Sequence, residues 1–195
     1  MLKLNKIYKF NTVLEILQDA ILFGDIEPGT VITQSDVASS LNVSRMPVRE
    51  AFIALEYCGL VERLPGQHIK VLNLDDEIIK SIFSDMTFSA IKIIESFNSL
   101  DIKNLAECES QGEFHDFIIK KIKSSLQKKF FEIIEKIYLS FVLKYSENLT
   151  DVNKAFKHLL AAIKNSDAIK SAYLAYGEVL TFELIKIRKR KREQN

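Results

Sequence analysis

Thr33-Gln34-Ser35-Asp36-Val37-Ala38-Ser39-Ser40-Leu41-Asn42-Val43-Ser44-Arg45-Met46-Pro47-Val48-Arg49-Glu50-Ala51 is the stretch whose reading decides the fold. Thr33 with Asp36 three residues on has the form of a capping box, in which the hydroxyl accepts a free backbone N–H of the first turn. It predicts a short helix running to Leu41. Asn42-Val43 reads as a turn, and Ser44 as the cap of the next helix. Pro47 falls in that helix's first turn, where a missing N–H costs little. Val48, Ala51, Phe52 and Leu55 give it an apolar face, and Gly59 ends it.

Upstream, Val13, Leu14, Ile16, Leu17, Ala20 and Ile21 recur at helical spacing. Gly24 stops that helix, and Glu27-Pro28-Gly29 reads as a tight turn. Downstream, Leu60-Val61-Glu62-Arg63 and His68-Ile69-Lys70-Val71 are short strand candidates joined by the turn Leu64-Pro65-Gly66-Gln67. Helix, short helix, turn, helix and hairpin make a winged helix-turn-helix. The second helix of the pair in such a unit enters the major groove, and its N-terminal residues reach base edges. Here these are Ser44, Arg45, Met46 and Arg49. The chain has six arginines, and two of them, Arg45 and Arg49, stand one helical turn apart at this helix start. An arginine reads guanine O6 and N7 with two parallel hydrogen bonds or clamps a phosphate. The helix N-terminus adds N–H donors for phosphate oxygens. The competing reading is that both arginines are solvated surface charges.

The whole chain has 195 residues, 47% hydrophobic and 27% charged, with a net charge of +1. These are ordinary values for a globular protein. No uninterrupted apolar run reaches the ~18 residues of a membrane span. The charged opening Met1–Lys9 is not expected to hold a signal-peptide core. Cys58 and Cys108 stand alone and are expected to be reduced thiols of a cytoplasmic protein. The charge is uneven: residues 1–72 carry −1, residues 73–116 carry −7 and residues 117–195 carry +9. Nucleic-acid binding therefore rests on a local patch. All three prolines and four of the six glycines precede residue 67. This shift predicts a turn-rich DNA-binding domain over 1–72 and a helical domain over 73–195, joined at Asn73-Leu74-Asp75-Asp76. Apolar stripes run through 75–98, 100–109, 113–123, 126–145, 151–164 and 167–188, with Asp76, Ser99, Ser125, Thr150 and Ser166 as expected caps. The fold class is mainly α: a winged helix-turn-helix followed by an all-helical antiparallel bundle.

Three runs resemble the GntR family of bacterial transcription regulators: Ile21 to Gly29, Val37 to Ala51, and Leu55-Glu56-Tyr57-Cys58-Gly59-Leu60-Val61. The resemblance covers about residues 10–72. It implies that Ser44, Arg45, Met46, Pro47 and Arg49 meet double-stranded DNA. It also implies that Gly66 and Gln67 form a wing tip for the minor groove and that Ser35 lies near a phosphate. Met46 stands where the family commonly has Thr.

The second part resembles, more weakly, the FadR/FCD-type effector domain, which is a dimerising helical bundle. Relatives hold a divalent metal there through an Asp and three His. By resemblance Gln111 stands at the Asp position, His115 at the first His, Phe156 at the second and Glu178 near the third, while His158 is two residues from its slot. These four residues are the candidate effector site. His115 is the best single candidate for a metal, and no cofactor is required. An arginine clamp for organic acids is missing, since no Arg lies between Arg63 and Arg188. The aromatic stripes read as core and dimer interface. The basic run Arg188 to Arg192 reads as a solvated helix end, or alternatively as phosphate-binding.

Cys108 and His115 are too far apart along a helix for a thiolate–imidazole pair, and no nucleotide-binding or hydrolase motif is present. The chain is expected not to be an enzyme. It is expected to be a homodimeric transcription regulator, a repressor by family habit, whose operator affinity responds to a small-molecule effector. The alternative is a dimeric DNA-binding architectural or partner-recruiting protein without an effector. Neither reading needs a membrane.

Overall fold

The computed structural model describes residues 2–193; the side chains of residues 2–11 and of Arg192 lie outside the description. The chain divides into two compact units. One holds the residues up to Asp75 together with those from Arg188 on, and the other runs from Asp76 to Ile187.

The first unit contains α1 (Leu2–Phe23), β1 (Val31–Thr33), α2 (Gln34–Ser40), α3 (Arg45–Tyr57), β2 (Val61–Leu64) and β3 (His68–Val71). Val13, Leu17 and Ile21 are buried at helical spacing on α1. Val48, Ala51, Phe52 and Leu55 are buried on α3, which packs against it. Each such large side chain contributes roughly 1.5–3 kcal/mol by leaving water. The capping box forms as expected: Thr33 Oγ1 accepts from the Asp36 N–H at 3.2 Å and donates to Asp36 Oδ2 at 2.7 Å. Gly24 and Gly59 stand just beyond the ends of α1 and α3, with φ of 83° and 71°.

The sheet is antiparallel in the order β1-β3-β2. Val61 pairs with Val71 and Arg63 with Ile69 on one side of β3, and Ile32 pairs with Ile69 on the other. Strand β1 is an addition to the sequence reading. Its three residues are too few to show alternation, and it is a strand because β3 offers a second edge. Gly29 N to Val71 O (2.8 Å) and Val71 N to Thr30 O (2.9 Å) extend that pairing.

The second unit is helical: α4 (Asp76–Glu95), α5 (Ser99–Ala106), α6 (Gln111–Lys121), α7 (Ser125–Ile134), α8 (Ser140–Tyr145), α9 (Thr150–Asn165) and α10 (Ile169–Glu193), whose last residues belong to the first unit. A π-helical turn over Glu135–Leu139 joins α7 to α8, so the long stripe expected over 126–145 is one helical run with a wider turn in it. Phe83, Phe114, Phe131, Phe141, Leu159 and Leu184 are among its fully buried side chains. At Gly177 on α10, a Cβ atom would lie 2.3 Å from Thr87 Oγ1 of α4, so the close approach of these helices requires glycine there.

Most bundle caps stand one residue before the expected ones. Asn98 accepts from the Asp101 N–H (2.9 Å) and Ser124 from the Gln127 N–H (3.3 Å). Asn148 accepts from the Thr150 N–H (2.9 Å), and Asp76 is the first residue of α4. Ser166 closes α9 at its C-terminal end, in the left-handed region at φ 52°. Neighbouring polar residues compete for a cap, and the winner is the one left in extended backbone whose oxygen faces the N–H groups. Ser110, which caps α6 through the Glu113 N–H at 3.1 Å, carried no such expectation. Among the described residues no helix is long and apolar enough to cross a membrane.

Candidate nucleic-acid interface

Two sets of residues hold the chemistry. The first is the start of α3. Ser44 takes the extended cap geometry, yet its hydroxyl makes no cap hydrogen bond. The first-turn N–H groups of α3 therefore keep no side-chain cap, which is the arrangement that suits an anion. Arg45, Met46 and Arg49 are exposed, with Met46 at 49%. Neither Arg45 nor Arg49 forms an ion pair among the described residues. Arg63, the third arginine of this unit, is held by Glu56 at 2.7 Å. Pro47 is buried with Val48, so its side chain anchors the helix start instead of joining the exposed face.

Between β2 and β3 the turn Pro65–Gln67 is exposed, with Gly66 at φ 76° and Gln67 at φ 66°. A Cβ on Gly66 would approach the His68 ring to 3.3 Å. Ser35 is the second residue of α2 and half-buried.

The second set is in the bundle. Gln111 and His115 on α6 meet Tyr176 on α10, and all three are buried. The Tyr176 hydroxyl donates to Gln111 Oε1 at 2.6 Å and lies 3.3 Å from His115 Nε2. Gln111 Nε2 donates to Asn153 Oδ1 at 3.2 Å, which fixes the orientation of the amide. Since the Tyr176 proton goes to Gln111, its oxygen is left to accept, and this assigns the imidazole proton to Nε2. Burial pushes the His115 pKa down to about 4, so the ring is neutral at pH 7. Burial raises Tyr176 and Tyr173. Phe156 lies against the Tyr176 ring at 5.7 Å and the Phe114 ring at 5.4 Å.

Of the four effector candidates, Gln111, His115 and Phe156 thus come together. Glu178 does not join them and is exposed along the outer side of α10, as His158 is on α9. The gathered donors are one imidazole and neutral oxygens. No group of three His, Cys, Asp or Glu among the described residues is placed to hold a metal. A divalent cation is therefore a poor fit, because its usual sites gather several imidazole, thiolate or carboxylate ligands.

Residues 9–71 match the family described as bacterial regulatory proteins, gntR family. The chain carries a gntR-family domain. The HTH-type transcriptional repressor RspR of Escherichia coli strain K12 is 38% identical over 64 residues, which are 32% of this chain and 28% of that protein. This chain thus spans less than a third of the length of that relative. The gluconate operon transcriptional repressor of Bacillus subtilis is 25% identical over 181 residues, covering 77% of this chain and 74% of that one.

Two solved structures share the fold across both units. E. coli McbR/YncC has a TM-score of 0.51 at 18% identity, covering 93% of this chain and 98% of its own. A structure described with the words "Lar controls the expression of the Listeria monocytogenes agr system and mediates virulence" has a TM-score of 0.57 at 13% identity, covering 91% and 96%. The family and the named relatives are transcription regulators, not enzymes.

In the gntR-family domain the exposed residues at the start of α3 and at the turn after β2 are those singled out from sequence. In the bundle, sequence reasoning missed Tyr176 and Asn153. Tyr176 was counted only as one of many aromatic core residues. Its spacing three residues after Tyr173 carried no sign that one hydroxyl would find partners and the other none.

The basic tail also differs from the expectation of a solvated end. Arg188 is buried and donates to the Leu74 carbonyl at 2.6 Å, and Lys191 lies over the Phe23 ring at 5.7 Å. The remainder of that expectation, at Arg192, lies outside the described side chains.

Proposed function

We propose that this chain is a sequence-specific DNA-binding transcription regulator, acting as a repressor in the cytoplasm and as a homodimer on a near-palindromic operator. The observation that carries this reading is the start of α3, where Arg45 and Arg49 are exposed and unpaired beside the uncapped Ser44. Arg49 and Arg45 read base edges or clamp phosphate, Ser44 and Ser35 contact backbone phosphates, and Met46 contributes apolar contact. Pro47 sets the entry of the helix. Gly66 and Gln67 place the wing tip. Two-fold protein symmetry is mirrored in the operator.

The test is binding to duplexes selected from a random library, measured by fluorescence anisotropy at matched salt. Arg49→Ala is expected to weaken the selected duplex by about 1–3 kcal/mol while keeping most non-specific affinity. Operator affinity unchanged in that variant would sink the assignment.

The helical unit, on this proposal, is of the FadR/FCD type, and a small-molecule effector bound in it tunes operator affinity by its preference for one state of the dimer. The closed chain Asn153–Gln111–Tyr176–His115 favours a second reading, in which the helical unit serves pairing alone and takes no effector. A thermal-shift panel of metabolites and divalent metals separates the two, because an effector raises Tm by mass action.

A further inference from the structure

The outer side of α10 has a feature that neither DNA reading nor the buried cluster uses. Phe182 is 67% exposed, which is unusual for a phenyl ring in the middle of a long helix. It stands as a ridge between two hollows. One, of about 460 Å³, lies along α4 and is mostly apolar, with Phe83, Phe88 (47% exposed), Leu174 and Ile185 among its walls. The other, of about 570 Å³, lies along α9. Glu178 borders both hollows, and Lys186 borders the second.

The order of these residues along α10 is self-complementary. Glu178 stands four positions before Phe182 and Lys186 four positions after it. Four residues on a helix return to within about 40° of the same face and lie ~6 Å along the axis. When two copies of α10 cross antiparallel with their Phe182 rings at the centre, Glu178 of each comes opposite Lys186 of the other. The contact is isologous, as a two-fold pair requires. Lys186 already leans on Glu183 of its own chain at 3.4 Å, while Glu178 forms no ion pair among the described residues. The acid is thus left for a partner's base, and an aromatic anchor at the centre of a charged rim is the usual anatomy of a specific interface.

We infer that this face, centred on Phe182 and flanked by Phe88, is where a second copy of the chain docks, each Phe182 filling the α4/α10 hollow of its partner and the Glu178–Lys186 pairs setting the antiparallel register. The inference rests on the proposed two-fold regulator and names the surface that makes it two-fold.

The experiment is analytical ultracentrifugation of the full chain without DNA, from nanomolar to tens of micromolar. The wild type is expected to be a dimer. Phe182→Glu is expected to weaken dimerisation on the order of 100-fold or more, since it places two like charges at the centre of the contact. Far-UV circular dichroism is expected to be unchanged, because the ring is exposed in the single chain. Glu178→Lys is expected to weaken the dimer less, and Glu178→Lys combined with Lys186→Glu to restore it. Phe182→Cys is expected to give a disulfide-linked dimer under mild oxidation, because the two positions meet at the axis.

Unaltered dimerisation in Phe182→Glu would overturn the surface. A dimer of the Cys variant that does not cross-link would overturn the register. A small molecule that binds the α4/α10 hollow without changing the mass would give that hollow a different occupant and overturn the inference. Arg49→Ala is expected to leave the dimer mass untouched, so a failure of the DNA reading and a failure of this interface are separately visible.

Discussion

Tyr173 and Tyr176 stand one helical turn apart on α10, both with rings fully buried, and the same substitution is expected to act on them in opposite senses. Tyr176→Phe removes the hydroxyl that donates to Gln111 (2.6 Å) and accepts from His115 (3.3 Å). Gln111 Oε1 and the His115 Nε2–H are then left buried with no partner. Each orphan costs about 1–3 kcal/mol, with the longer His115 bond at the low end, so the expected loss is about 3 kcal/mol. Tyr173 has a buried hydroxyl with no hydrogen-bond partner among the described residues. Tyr173→Phe removes a polar atom that was desolvated without compensation, and a gain of about 1 kcal/mol is expected. The two variants differ by one oxygen each, share a helix and keep the ring packing. The gap of about 4 kcal/mol between them therefore isolates hydrogen bonding from volume.

The assay is urea unfolding followed by far-UV circular dichroism at pH 7. Protein concentration is matched, because dimerisation adds to apparent stability. The m-values are expected to agree with wild type, and the midpoints to move apart. A Tyr176→Phe midpoint within ~0.5 kcal/mol of wild type, or a shift of both variants in the same direction, would refute the reasoning.

Acid should destabilise the second unit before most carboxylates titrate. The His115 pKa falls from its ordinary 6.5 to about 4 on folding, so between these values the unfolded chain binds a proton that the folded chain refuses. Stability is then lost as pH drops below 6.5, at roughly 1.4 kcal/mol per pH unit, reaching about 3 kcal/mol near pH 4. Denaturant midpoints across that range, wild type against His115→Gln, check it: an equal slope in both would remove His115 as the cause. Gly177→Ala gains about 1 kcal/mol of helix propensity but drives its methyl into Thr87. A net loss of about 1–2 kcal/mol is expected by thermal unfolding, and Thr87→Ala in the same chain is expected to restore it.

The elements that could be read in advance have causes confined to a few neighbouring residues. The Thr33–Asp36 box, Pro47 at the start of α3, and Gly24 and Gly59 just beyond their helices each act within one turn of the chain. The residues at the start of α3 were legible for the same reason, since a helix start exposes its first side chains wherever it is docked. The cap positions were missed by one residue because adjacent polar side chains offer equivalent oxygens, and only the backbone angles choose among them. Strand β1 was missed because three residues have no period of their own.

The sequence by itself determined the order and type of the elements, the two-part organisation, and the exposed arginines at the head of α3, because periodicity, capping and turn chemistry are local. The tertiary structure alone decided the rest. Tyr176 reaches His115 across 61 residues and Gln111 across 65, and Arg188 finds the Leu74 carbonyl 114 residues away. Those pairings depend on which helix faces meet. A buried polar atom takes whichever partner the packing presents, since leaving it bare costs more than the bond itself returns.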